Sequence, residues 1–164
     1  MKRRSKTIFL CQGAIIAAIY VVLTYVTHMF GLDSGVIQVR FSEMLCILPM
    51  FTSAAIPGLY LGCLLANLLT GAVWLDVLVG PVATLIGALG TYALRRYKWL
   101  APIPPVLSNA LIMPFVLSYG YEMEQTIPFM MLTVGIGEVI SVYILGLAVY
   151  FVIEKRAAKI FGGN

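Results

Sequence analysis

Apolar runs at 8–30, 44–56, 57–71, 75–94, 103–119 and 128–153 occupy most of this chain of 164 residues and leave little between them. The hydrocarbon core of a bilayer takes about 20 apolar residues per helix. Within it only helices and closed barrels satisfy every backbone N–H and C=O. Charged residues make up 11% of the chain, against about 25% in an ordinary globular domain. Hydrophobic residues make up 61%, and the mean hydropathy is +0.97. These runs predict an all-α integral membrane protein, a single membrane domain over 1–164 with six transmembrane helices and no room for a soluble catalytic domain. The opening Met-Lys-Arg-Arg-Ser-Lys6 followed by Ile8–Phe30 imitates a secretion signal, but the run is too long and lacks a small-x-small cleavage site. A retained first span is expected.

The net charge of +4 does not point to nucleic acid, because the bases form tight clusters at the ends of apolar runs. Those clusters are Lys2/Arg3/Arg4/Lys6, Arg95/Arg96/Lys98 and Lys155/Arg156/Lys159. The positive-inside rule places all three, and both termini, in the cytoplasm. An even number of spans must then separate neighbouring clusters. Two fit between Lys98 and Lys155, joined by the acid-bearing, base-free turn Tyr121-Glu-Met-Glu124. Four fit between Lys6 and Arg95 only if the second and third are short, with Ile56-Pro57-Gly58 as the break between them. A three-helix reading of 1–94 would put Arg95, Arg96 and Lys98 outside, against the charge rule. Short helices at membrane depth need cover for their loose backbone groups, so a cavity is expected near the second and third.

An ionisable group at mid-membrane costs about 2.5–3.5 kcal/mol even on the lenient insertion scale, and so marks a functional candidate. The chain offers Arg40, Glu43, Asp76 and Glu138, with the amides Gln38, Asn67 and Asn109. Gln38, Arg40 and Ser42 alternate with apolar residues, as in an extended segment. Ser42 is placed to cap the second helix, with Glu43 in its first turn. The plain alternative is that Arg40 and Glu43 only pair with each other at the interface. Glu138 lies deep in the last run, after Gly135 and Gly137, which would let another backbone or a ligand approach closely. Its alternative is a structural bond to Asn109 or Asn67. Asp76 can equally be a solvated acid at a helix start. Asn67 and Asn109 can simply tie helices together.

Cys11, Cys46 and Cys63 lie inside apolar runs without metal-ligand spacing and are expected to be buried small hydrophobes. His28, the only histidine, has no partner histidine for a metal site or relay and reads as interfacial. No phosphate-binding loop or nucleophile elbow occurs. Catalytic residues, metal and cofactor are therefore not expected. A solute-binding membrane subunit, a self-contained carrier and a structural membrane protein remain. Gly13, Ala14, Ala17 and Ala18 form two overlapping small-x-x-x-small pairs on the first span, which serve packing inside the chain or against a partner helix.

Ile37-Gln-Val-Arg-Phe-Ser-Glu43, Ala55-Ile-Pro-Gly58, Gly62-Cys-Leu-Leu-Ala-Asn67, Trp99-Leu-Ala-Pro-Ile-Pro-Pro-Val-Leu-Ser-Asn109 and Thr133-Val-Gly-Ile-Gly-Glu138 together resemble the QueT family of queuosine-precursor transporters. The resemblance runs from about residue 8 to 153. It implies a substrate-binding S component of an energy-coupling-factor (ECF) transporter in a bacterial cell membrane. Such a subunit captures a deazaguanine base outside and works with a transmembrane coupling subunit and two ABC-type ATPases. The small-residue face of the first helix would meet the coupling subunit. On that reading Glu138 accepts from the guanine-like edge, Glu43 or Asp76 holds the aminomethyl cation, and Arg40, Gln38, Asn67 and Asn109 complete the polar shell. Trp74 or Tyr119 would stack on the base. The polar set alone leaves two alternatives open: an S component for a flavin, pterin or purine, and a stand-alone carrier.

Overall fold

The computed structural model describes residues 2–33 and 37–161, without the side chains of residues 2–5, 158 and 159; Lys2, Arg3, Arg4 and Lys159 of the basic clusters fall among those side chains. All regular structure among the described residues is helical. α1 (Lys2–Met29) has 28 residues, about 42 Å at 1.5 Å per residue, longer than the bilayer core of roughly 30 Å. A 3₁₀ helix (Phe41–Met50) follows, then α2 (Ala55–Leu69), α3 (Trp74–Ala93) and α4 (Ile103–Gly120). The last long rod comprises α5 (Ile127–Glu138), a π-helical turn (Val139–Leu145) and α6 (Gly146–Glu154), and α7 (Ala157–Phe161) closes the chain.

Four helices are long and apolar enough to cross a membrane: Lys6–Met29, Trp74–Ala93, Ile103–Gly120 and Ile127–Glu154. The 3₁₀ helix and α2, with 10 and 15 residues, are shorter apolar segments, as the sequence requires of its second and third runs. The break between them falls at Phe51–Ala54 rather than at Ile56-Pro57-Gly58. Pro57 instead sits in the first turn of α2, where a missing N–H costs no helical bond.

The 3₁₀ helix runs through the middle of the bundle. Ser42, Glu43, Leu45, Cys46, Ile47, Leu48 and Pro49 are all buried, and the core closes around them from α1, α2 and the last rod. Irregular backbone is tolerated at membrane depth when protein covers it, and here it does. Ser42 does not cap this helix. The Phe41 N–H donates to Thr27 Oγ1 of α1 at 3.0 Å, and the Arg40 N–H donates to Ser141 Oγ of the π turn at 3.1 Å. Hydroxyls of neighbouring helices thus do what a local cap would have done. Arg40 itself is extended, and Glu43 lies in the first turn as expected.

Small residues set the closest approaches. A Cβ at Gly58 would stand 2.7 Å from the Gly13 carbonyl oxygen, and one at Gly62 would stand 2.7 Å from Tyr20 Cβ and 3.1 Å from Ala17 Cα. Gly13 and Ala17 therefore pack inward on α2, whereas Ala14 and Ala18 are exposed. A Cβ at Gly137 would overlap the Gln38 carbonyl, so α5 lies directly against the extended segment before the 3₁₀ helix. Leu65, Leu78, Ile86, Leu111, Phe115, Leu132 and Ile144 face outward, an apolar surface suited to lipid. Cys46 and Cys63 are buried, but Cys11 faces outward with this surface.

At the end of the bundle opposite Arg95, Arg96, Lys98, Lys155 and Arg156, α1 and α2 finish alike. Leu32 N–H donates to the Thr27 carbonyl and Ala72 N–H to the Asn67 carbonyl, with Gly31 (φ 65°) and Gly71 (φ 72°) in the left-handed conformation that such helix ends require. α4 turns through the same conformation on a residue with a side chain, Glu122 (φ 53°). These three helix ends and the start of α3 surround the cavity.

Candidate functional site

A cavity of about 410 Å3 opens at this end. Tyr20, Thr24, Thr27 and His28 of α1 contribute to it, with Asp33, Gln38 and Arg40 of the following segment. Asn67 of α2, Asp76 of α3, and Leu117, Tyr121 and Met123 at the end of α4 complete most of the wall. The expected placement near the second and third runs is met by Ser42, Asn67 and Thr70.

Asp76 is 2% exposed in the first turn of α3 and so not a solvated helix-start residue. Asn67 Nδ2 donates both to its Oδ1 at 3.1 Å and to its backbone oxygen at 3.0 Å. The Tyr121 hydroxyl donates to its Oδ2 at 3.0 Å. Burial and that neighbouring carboxylate push the Tyr121 phenol up to about 12, so it stays a donor at any physiological pH. Gly80 makes the arrangement possible, since a Cβ there would stand 2.7 Å from Asp76 Oδ1 and 2.9 Å from Asn67 Nδ2. Arg40 Nη2 stands off at 3.8 Å from Asp76 Oδ2, an ion pair without a hydrogen bond. Arg40 does not pair with Glu43, so the plain interfacial pair is not formed.

Behind the cavity wall lies a second polar cluster. Glu43 is 2% exposed and accepts from the Tyr20 hydroxyl, the Cys46 thiol at 3.1 Å and Asn109 Nδ2 at 3.5 Å. Glu138, 6% exposed at the junction of α5 and the π turn, has Asn109 as its neighbour. Its Oε2 has no hydrogen-bond partner among the described residues. π turns inside α-helices concentrate at functional sites, and an unpaired buried acceptor costs about 1–3 kcal/mol. Arg40 is within electrostatic reach of all three buried acids, Asp76, Glu43 and Glu138.

Thus Gln38, Arg40, Asn67 and Asp76 line the cavity, while Glu43, Asn109 and Glu138 are buried together behind its wall and do not line it. Trp74 and Tyr119 do not join them. They are 71% and 73% exposed, because their positions fall on the outer faces of α3 and α4. The aromatic residues that line the cavity are Tyr20 and Tyr121, neither singled out by the sequence. Tyr20 could have been found: it continues the Gly13–Ala17 face of α1 by one turn. His28 and Asp33 pair at 2.8 Å on the cavity wall. No group of three or more His, Cys, Asp or Glu able to hold a metal occurs among the described residues.

No solved structure matches the chain. A curated relative from Lactococcus lactis subsp. cremoris (strain MG1363), named queuosine precursor transporter QueT, is 37% identical over 97 residues. That segment is 58% of this chain, and it spans little more than half of the relative, 57%. The family model described as QueT transporter matches residues 10–155, a range that takes in most of α1, the 3₁₀ helix, every cavity residue and the π turn. Four long apolar helices, a buried polar site and that match together show that the chain belongs to the QueT transporter family.

Proposed function

We propose that the chain is the substrate-binding membrane subunit of an energy-coupling-factor uptake system and captures a deazaguanine queuosine precursor, the aminomethyl form in preference to the nitrile. The relative's name supports the substrate class. The choice between precursors rests on one observation: Asp76 is a buried, anchored carboxylate on the cavity wall, with Arg40 too far away to satisfy it by hydrogen bonding. A fixed carboxylate facing a cavity suits an alkylammonium group. Asp76 therefore takes the aminomethyl cation. Asn67 orients Asp76. Glu138, whose unpartnered oxygen lies behind the cavity wall beside Asn109, accepts the N–H edge of the guanine-like ring where the ligand reaches past that wall. Arg40 and Gln38 serve the ring's acceptors. A cavity of about 410 Å3 lies in the range of small-molecule sites.

In the membrane the chain crosses six times, the 3₁₀ helix and α2 counting as short crossings, with both termini and the basic end in the cytoplasm and the cavity outside. Two ABC-type ATPases and a coupling subunit drive uptake, and the exposed Ala14–Ala18 face of α1 meets that subunit. Calorimetric titration of the detergent-purified chain with the aminomethyl and nitrile deazaguanines, guanine and riboflavin tests the reading. Binding is expected for the deazaguanines, tighter for the aminomethyl form. Binding of riboflavin or guanine alone would overturn the substrate.

A further inference from the structure

The cavity has two unlike walls. One is polar, built from Gln38, Arg40, Asn67 and Asp76. The other comes from the end of α4, where Leu117, Tyr121 and Met123 follow one another around the last turn. Leu117 is buried against the neighbouring core, whereas Tyr121 is 41% exposed. The second lining tyrosine, Tyr20, is 2% exposed and its hydroxyl is engaged by Glu43. Tyr121 thus offers an accessible phenol ring on the cavity wall.

Its position is fixed from two directions. The hydroxyl is anchored on Asp76 Oδ2 of α3 at 3.0 Å. The backbone is fixed by the left-handed turn at Glu122 (φ 53°) and by the Met123 N–H donating to the Leu117 carbonyl at 3.2 Å. The equivalent turns at α1 and α2 use Gly31 and Gly71, which take that conformation without strain. A non-glycine residue held there marks a segment whose geometry the surrounding structure over-determines, a situation that clusters at ligand clamps.

We propose that Tyr121 is the ligand's aromatic platform: a flat heterocycle in this cavity stacks on its ring while Asp76, tied to the same tyrosine, takes the ligand's cationic group. This deepens the deazaguanine reading and rests on the cavity being its site. The platform sets specificity for planarity, and Asp76 sets specificity for charge. Because every aromatic base has a π-face, the platform alone does not choose among flat rings.

Calorimetric titration of wild type, Tyr121→Phe, Tyr121→Trp, Tyr121→Leu and Tyr121→Ala with the aminomethyl deazaguanine tests this, with riboflavin and guanine titrated in parallel. Loss of a stacked aromatic is worth roughly five- to 150-fold in affinity. Tyr121→Leu and Tyr121→Ala are expected to weaken binding by that range, and Tyr121→Phe and Tyr121→Trp by less than about fivefold. A tyrosine that merely filled space would group Leu with Phe, so that grouping overturns the platform, and so does unchanged affinity in Tyr121→Leu. If Tyr121→Ala fails to fold, the comparison of Leu with Phe still decides. Should wild type bind only riboflavin or guanine, and lose it in Tyr121→Leu, the platform stands and the deazaguanine reading falls. Deazaguanine binding that ignores every Tyr121 variant leaves that reading intact and removes the platform. Wild type binding none of these rings overturns both.

Discussion

The two acid clusters of this protein lie side by side and are finished differently. Around Asp76 both carboxylate oxygens have donors, from Asn67 and from Tyr121, and Gly80 clears the space that lets them close in. Around Glu43 and Glu138 the donors run out: Tyr20, Cys46 and Asn109 serve Glu43, and Glu138 Oε2 is left without one. A satisfied buried carboxylate is rigid and acts on a ligand as a fixed point charge. An unsatisfied one is a debt that a ligand's N–H groups can settle, so it rewards a ligand of the right shape. On the proposed reading, one cluster measures charge and the other a hydrogen-bonding edge.

The backbone that carries both clusters is the first place to break the contrast. Gly137→Ala drives a Cβ into the Gln38 carbonyl, and neither partner is a flexible side chain. The expected cost is about 3 kcal/mol or more, of the order seen when a packed core is overfilled. It would read out as a lower midpoint in thermal or denaturant unfolding, together with loss of binding. An unchanged midpoint would mean that the segment before the 3₁₀ helix is not pinned by α5.

Asp76→Asn keeps the shape and removes the charge. Affinity for the aminomethyl deazaguanine is expected to fall roughly 10- to 150-fold, the worth of a charged hydrogen bond. The nitrile form should be almost unaffected, so calorimetry with both ligands should show the preference between them disappear. Glu138→Gln sharpens the contrast from the other side. It should weaken both precursors by a similar factor, about tenfold, because it alters the edge they share. A selective loss of the aminomethyl form in this variant would assign the cation to Glu138 instead. Smallest of all, Trp74→Ala and Tyr119→Ala are expected to leave affinity within about twofold, as exposed positions away from the site usually do.

Much of this was legible in the sequence. The apolar runs located the helices, the shortness of the second and third runs survived intact, and the close approach expected at Gly137 was found to be one of backbone to helix. Local signals failed where distant residues took over their role. Ser42 has the chemistry of a cap, but Thr27 and Ser141 reach the helix start from 14 and 101 residues away. The break at Phe51–Ala54 contains no proline and no glycine to announce it. The acids and amides that the structure gathers at and behind the cavity wall stood out in the sequence because charge and amide groups are rare in such a chain. The aromatic residues of the cavity wall did not stand out, because tyrosine and tryptophan are common in such a chain and only the rotation of each helix decides which of them turn inward. Trp74 and Tyr119 turned out, and Tyr20 and Tyr121 turned in.

The manner in which the central 3₁₀ helix is held has a consequence for how the protein is made. Its first free N–H groups are met by Thr27, synthesised before it, and by Ser141, synthesised about a hundred residues later. Gly137, which seats the segment leading into it, also arrives late. A ribosome therefore delivers this segment long before its cover exists, and ten residues are too few to settle across a bilayer alone. The cover over the middle of the molecule can therefore be completed only once the final long rod is in place.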